Sequence, residues 1–297
     1  MLSPSSVKSN LSLGLLVWYE LNQTKITPDN LRSVLGEEGM DASVVPDIDQ
    51  VQAIRRAARG WTQGRGHADR YRAEVVFDQP NRVEIGVLRR QRINDHQVEW
   101  VQVDVVAYDV DSAGNVNRDG YSGSSTPEAS LIAEDVLSAC TFLDHEWIRP
   151  NLIAARLDAM GALSVRRSGG VAFVPRCYED DVRRLQAVVR RIGLSEFEAA
   201  AVDPNDTTTR ETLQRRAGEN IADALRDFDA RLGEWETAAK TVPSHAVASI
   251  LAEYGEIVQR GDLYALALGV TLDGLRGKLD AAKDRARVLL FGAQVAA

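Results

Sequence analysis

Between residues 71 and 107 the apolar side chains of this chain fall at every second position, whereas on both sides they recur every three or four. Tyr71, Ala73, Val75 and Phe77 alternate, then Val83, Ile85 and Val87, then Val101, Val103, Val105 and Ala107. A period of two puts alternate side chains on one face of a strand, and a period of three to four puts them on one face of a helix. The chain must therefore build a sheet between helical segments. Gln79-Pro80-Asn81 and Asn94-Asp95 separate the strands with turn residues, so the spacing predicts a three-stranded antiparallel meander.

Upstream, Leu11, Leu15, Leu16 and Tyr19 predict a first helical face. Thr27-Pro28-Asp29 carries an N-cap, a first-turn proline and an acid at the positive helix end, opening a second helix that reaches about Leu35 and stops at Gly36 or Gly39. A third helix runs from Asp47 to near Gly60. On it Val51, Ile54 and Ala58 share one arc, and Gln52, Arg55, Arg56 and Arg59 share another. Residues 1–110 thus form one α+β domain.

Residues 111–126, rich in Gly, Ser, Asn and Asp, read as a linker. Thr126-Pro127-Glu128 caps a helix with Leu131, Ile132, Val136, Ala139 and Leu143, and a second helix from about Trp147 to Met160 takes Pro150 in its first turn. Two short alternating runs then flank Gly169-Gly170, the mark of a tight hairpin. A helix with Val182, Leu185, Val188, Val189 and Ile192 follows, and Gly193 stops it. The order helix, helix, hairpin, helix over 127–193 is that of a winged-helix-like module. After a linker at 194–209, residues 210–297 are helical. Ile221, Leu225, Phe228, Leu232 and Trp235 are spaced four and three apart, as are Leu268, Leu272, Leu275 and Leu279. Such heptad spacing predicts a coiled-coil-like hairpin or three-helix unit, and makes these nine residues the candidates for self-association.

The formal net charge is -8, carried by 35 Lys and Arg against 43 Asp and Glu. A polyanion-coating surface is excluded by that total. Residues 51–100 nevertheless hold ten Arg against six acids, and residues 146–193 nine Arg against five. Arg55, Arg56, Arg59, Arg166, Arg167, Arg183 and Arg184 are therefore the candidate phosphate contacts if the partner is nucleic acid. The apolar run from Leu11 to Tyr19 falls short of the roughly 20 residues of a membrane span, so no membrane partner is expected. Cys140 and Cys177 lack the spacing of a disulfide framework, which suits a reducing cytoplasm.

Catalytic motifs are missing from the sequence. Gly64-Arg65-Gly66 lacks the context of a nucleotide fingerprint, His145-Glu146 has no second His four residues on, and Cys140 near His145 has no third orienting group. Asp109, Asp111, Gly114 and Asn115 echo a calcium loop, but Gly120 stands where its bidentate Glu belongs. No catalytic residue, metal ligand or cofactor is assigned.

The segment Arg166-Arg167-Ser168-Gly169-Gly170-Val171-Ala172-Phe173-Val174-Pro175 resembles a family of uncharacterised bacterial and phage-type proteins. In these a charged strand, a Ser-Gly-Gly turn, an aromatic-Val-Pro strand and a helix precede a helical tail. The resemblance implies a prokaryotic or phage origin and no activity. The expected function is non-enzymatic: an interaction or assembly protein that self-associates or binds a protein partner through its C-terminal helices. Nucleic-acid binding by the Arg-rich wing at 165–176 and the Arg-rich helix at 47–59 is the alternative.

Overall fold

The structure, a computed structural model, describes residues 12–20, 24–62, 70–94, 97–118, 126–166, 170–193, 196–237, 244–270 and 273–295. It is a mixed α+β protein with antiparallel sheets. In chain order the elements are β1 (Gly14–Glu20), β2 (Lys25–Ile26), α1 (Pro28–Glu37), α2 (Gln50–Thr62), β3 (Tyr71–Gln79), β4 (Arg82–Asn94), β5 (Gln97–Val110) and β6 (Val116–Arg118). Then come α3 (Pro127–Thr141), β7 (Leu143–Asp144), α4 (His145–Ile148), a π-helical turn (Arg149–Ala154), α5 (Ala155–Ala159), β8 (Leu163–Ser164) and β9 (Val171–Pro175). A 3-10 turn (Arg176–Tyr178), α6 (Glu179–Arg191), β10 (Glu196–Ala201), α7 (Thr207–Thr237), α8 (Ser244–Leu268) and α9 (Asp273–Val295) complete it.

Two compact units divide the chain. One is the contiguous segment Gln23–Arg149, and the other joins Met1–Asn22 to Pro150–Ala297. This division replaces the expected domains at 1–110, 127–193 and 210–297. The first strand belongs with residues 150–297, and α3 belongs with the meander. Residues 111–126 and 194–209, expected as linkers, contain β6 and β10.

The contiguous unit realises the predicted sheet and extends it to four strands in the order β3-β4-β5-β6. Val83, Ile85 and Val87 alternate onto its inner face, where they meet Ala53, Ile54, Ala58 and Trp61 of α2 and Ile132 and Val136 of α3. Fully burying an aliphatic side chain contributes about 1.5–3 kcal/mol, so this face holds the unit together. The capping signals are met. The Thr27 side chain accepts from Asn30 N, and the Thr126 side chain accepts from Ala129 N. Asp104 in turn accepts from the Thr126 backbone N–H at 2.9 Å, tying the start of α3 to β5. The third helix opens at Asp49, whose carboxylate accepts from Gln52 N, and not at Asp47, which pairs with Arg32.

The second unit departs most from expectation. Residues 14–20 form a strand, not a helix. The run Gly14-Leu-Leu-Val-Trp-Tyr is the near-continuous apolar pattern of a strand covered on both faces, and its branched and aromatic residues suit that role. β1 sits inside a sheet of order β10-β1-β9-β8, opposite β10 on one edge and β9 on the other. Gly14 is needed there: a Cβ would stand 2.3 Å from the Val174 carbonyl oxygen and 2.7 Å from the Phe173 ring. The hairpin expected as a wing contributes β8 and β9 to this sheet. One sheet face joins Leu16, Leu163 and Phe173 to a core filled from α7, α8 and α9. The other carries Phe197, stacked on Tyr19 at 6.1 Å, beside α6.

The helix expected at 147–160 begins at His145 and widens to a π turn around Pro150. Proline has no N–H and its ring crowds the carbonyl four residues back, and the widened turn relieves that crowding. Downstream, α6 ends where predicted, with Gly193 at φ 74.

Candidate functional site

A cleft of about 410 Å³ lies within the contiguous unit, between α2, α3 and the short β2–β7 ladder. Three ties shape it. The Trp61 indole N–H donates to Asp135 Oδ2 at 2.8 Å, joining the end of α2 to α3. One turn further along α3, Ser138 Oγ accepts from Lys25 Nζ at 2.6 Å. Lys25 is held by the antiparallel pairing of β2 and β7, which sets it opposite Asp144. Asp144 then caps α4 by accepting from the backbone N–H groups of Glu146 and Trp147 at 3.1 and 3.2 Å, which places His145 on the cleft wall.

Arg56 and Gly60, one turn apart on α2, complete that wall. Among the described residues neither Arg56, Lys25 nor His145 forms an ion pair. The acids differ: Asp135 and Asp144 already accept fixed donors of the chain. The cleft thus holds unfilled hydrogen-bond donors on Arg56 and Lys25 and a second acceptor oxygen on each of Asp135 and Asp144, with Glu146 also in its lining.

Cys140, behind this wall, is buried, and its thiol is pushed up to about 11 by burial, with Arg56 opposing. Its sulfur lies 3.9 Å from the Gln50 carbonyl oxygen. A thiol of that kind is protonated at neutral pH and is a poor nucleophile. Asp111 organises a local turn, accepting from Ala113 N, Asn115 N and Asn115 Nδ2. Among the described residues no three His, Cys, Asp or Glu side chains gather as metal ligands would. No helix among them is long and apolar enough to cross a membrane.

The sequence-derived arginines are divided between the two units. Arg55 pairs with Asp78 at 2.5 Å, Arg56 lines the cleft, and Arg59 is exposed on the same helix. In the other unit Arg166 is exposed, while Arg183 pairs with Glu179 and Arg184 with Asp181 along α6. Arg167 lies outside the described residues. The heptad side chains are spent inside their own chain. Ile221, Leu225, Phe228, Leu232, Leu268 and Leu279 are all buried in one core with Tyr264. Leu272 and the side chains of Trp235 and Leu275 lie outside the described residues. An intersubunit seam made of these buried residues is therefore corrected to an intrachain three-helix core.

Sequence reasoning found Arg56, noted His145 and counted Asp135 among scattered carboxylates, but did not bring them together as one cleft. Lys25, Trp61, Asp135 and Asp144 come from segments far apart in the chain, and no local spacing links them. The only legible hint is Asp135 and Ser138, three apart on one helix face.

Fold and cleft together define a mixed α+β protein of two units, with a polar cleft and no metal-ligand cluster among its described residues. The chain belongs to the family of unknown function DUF6744, whose model matches residues 12–295. No curated protein and no solved structure matches it.

Proposed function

We propose that the chain is a non-enzymatic interaction protein of a bacterial or phage cytoplasm, which self-associates through the outer surface of helices α8 and α9. One observation carries this reading: Leu251 on α8 and Val288 on α9 are 49% and 72% exposed. Tyr254 is within electrostatic reach of Asp280, Asp284 and Arg287, so this part of α8 runs beside the later half of α9. Leu251 and Val288 consequently fall along neighbouring stretches of two packed helices. Since the described heptad side chains are spent inside the chain, it is the outer surface of these helices that offers apolar side chains to a second copy.

Sedimentation of the full chain tests the reading. The parent protein sediments as an oligomer, and Leu251→Glu with Val288→Glu shifts it to the monomer without loss of helix content. A parent protein that is monomeric at every concentration, or a double variant of unchanged mass, overturns it.

A second reading, nucleic-acid binding, is favoured by Arg56 and Arg59, exposed one turn apart on α2. Arg166 is exposed as well, whereas Arg183 and Arg184 are engaged by acids on their own helix. A labelled oligonucleotide then binds with an affinity that falls as salt rises, and Arg59→Glu weakens it. Absence of binding at low salt ends this reading.

A further inference from the structure

We propose that the cleft between α2, α3 and the β2–β7 ladder binds a small phosphorylated sugar. The proposal concerns the contiguous unit and does not depend on self-association through α8 and α9.

The argument starts from which polar capacity is unfilled. Arg56 carries five guanidinium donors and is in no ion pair among the described residues; Lys25 spends one of its three on Ser138 at 2.6 Å. His145 adds a ring N–H donor from α4. These groups come from three different elements and line one space of about 410 Å³. A single carboxylate is satisfied by one guanidinium fork, whereas a phosphate monoester has three terminal oxygens and nearly two charges, and takes several converging donors.

Three carboxylates line the same wall, Asp135, Asp144 and Glu146, and the first two argue for what the phosphate is attached to. Asp135 uses Oδ2 on the Trp61 indole, and Asp144 uses Oδ1 on two backbone N–H groups. Each keeps its other oxygen as an acceptor. Bare phosphate offers nothing to these acceptors and is repelled by their charge. Hydroxyl groups, which donate, suit them. The recognition pattern is therefore cations for the phosphate and carboxylates for neighbouring hydroxyls. Phosphate and sugar together fit a cleft of this size, which lies in the range of small-molecule sites. The source is either a free sugar phosphate or the sugar-phosphate part of a mononucleotide, which share this chemistry.

Calorimetric titration of the full chain at physiological salt tests the proposal, with four probes: ribose 5-phosphate, adenosine monophosphate, inorganic phosphate and ribose. Ribose 5-phosphate is expected to bind about tenfold or more tighter than inorganic phosphate, and ribose not measurably. Adenosine monophosphate binding as well as ribose 5-phosphate assigns the site to nucleotides, and its exclusion assigns it to free sugar phosphates. Arg56→Ala and Lys25→Ala should each weaken ribose 5-phosphate about tenfold or more. Arg56 and Lys25 are exposed, so thermal melts of these variants should match the parent. Arg59→Ala, a neighbouring cation outside the cleft, should leave binding unchanged. Failure of ribose 5-phosphate to bind, equal affinity for inorganic phosphate, or equal weakening by Arg59→Ala each overturns the proposal. Loss of oligomers in the Leu251 and Val288 variants leaves it untouched, and the converse holds.

Discussion

The two units solve the same packing problem with opposite chain economies. The contiguous unit closes its sheet with hairpins: β3, β4, β5 and β6 follow each other in space as in sequence. The other unit places its first strand between β9 and β10, more than 150 residues away in register partners such as Leu15 and Val174. Short closures cost little chain entropy and long ones more, so the discontinuous sheet depends on contacts that form only when both chain ends are present. The difference teaches that unit boundaries here follow strand pairing, not composition. A Gly- and Ser-rich stretch such as 111–126 lies inside a unit, while the real boundary falls at Arg149 and Pro150 within a helical run.

Deleting residues 1–22 is the sharpest way to break the comparison. It removes β1, the inner strand that bonds to both β9 and β10. The expected outcome is loss of the cooperative melting of the discontinuous unit, with the contiguous unit still unfolding as a separate transition. Hydrogen exchange resolves the two: amides of β4 and β5 stay protected while those of β9 and β10 exchange freely. Equal loss in both units would show that the division has no energetic meaning.

Core truncations come next in size. Phe228, 1% exposed in the helical core, and Ile85, fully buried under the contiguous sheet, belong to different units. Phe228→Ala should destabilise its unit by about 3–5 kcal/mol, and Ile85→Ala its own by about 2–5 kcal/mol. Each should move only one unit's exchange protection. The buried Cys140 gives an independent readout. Its modification by a thiol reagent should quicken in Ile85→Ala and not in Phe228→Ala, because it lies in the contiguous unit's core.

A smaller effect separates local capping from long-range packing. Thr126→Ala removes the acceptor for Ala129 N at the start of α3 and should cost about 1 kcal/mol, confined to the contiguous unit. Urea melts followed by exchange at α3 check this.

What could be read ahead of the structure divides along the same line. Caps at Thr27 and Thr126, the alternation of Val83, Ile85 and Val87, and the stop at Gly193 are local signals, and each was legible. Unit assignment of α3 and the strand at 14–20 were not. Leu15, Leu16 and Tyr19 fit a helical arc as well as a strand, and only pairing to Phe173 and Val174 decides between them. β10, Glu-Phe-Glu-Ala-Ala-Ala, is poor in strand-forming residues and is held as a strand by its partner β1. The heptads of α7 were legible as a pattern, but spacing alone does not say whether the partner is the same chain. The cleft was nearly invisible for a related reason. Lys25 reaches Ser138 across 113 positions, and Trp61 reaches Asp135 across 74.

The smallest predicted effect compares one acidic cap from each unit. Asp206 accepts from the Thr209 hydroxyl at 2.6 Å and the Thr209 backbone N–H at 3.0 Å at the start of α7, and these bonds hold its carboxyl below its ordinary 3.8. Asp111 is likewise lowered from 3.8, first by the Asn115 side chain, in the turn between β5 and β6. A carboxylate whose folded value is depressed stabilises the fold fully above its unfolded value and loses that contribution as pH falls through the folded one. Both caps therefore contribute at neutral pH and fade only below about 3.8. Carboxyl carbon titration should find both midpoints below the ordinary value. Asp206→Asn keeps an acceptor without a titrating charge, so it should flatten the acid-side loss of α7 protection and leave that of β6 as it was. Asp111→Asn should do the reverse. If either substitution altered the acid response of both units equally, the two caps would be reporting one cooperative structure, and the energetic independence inferred from strand pairing would fail.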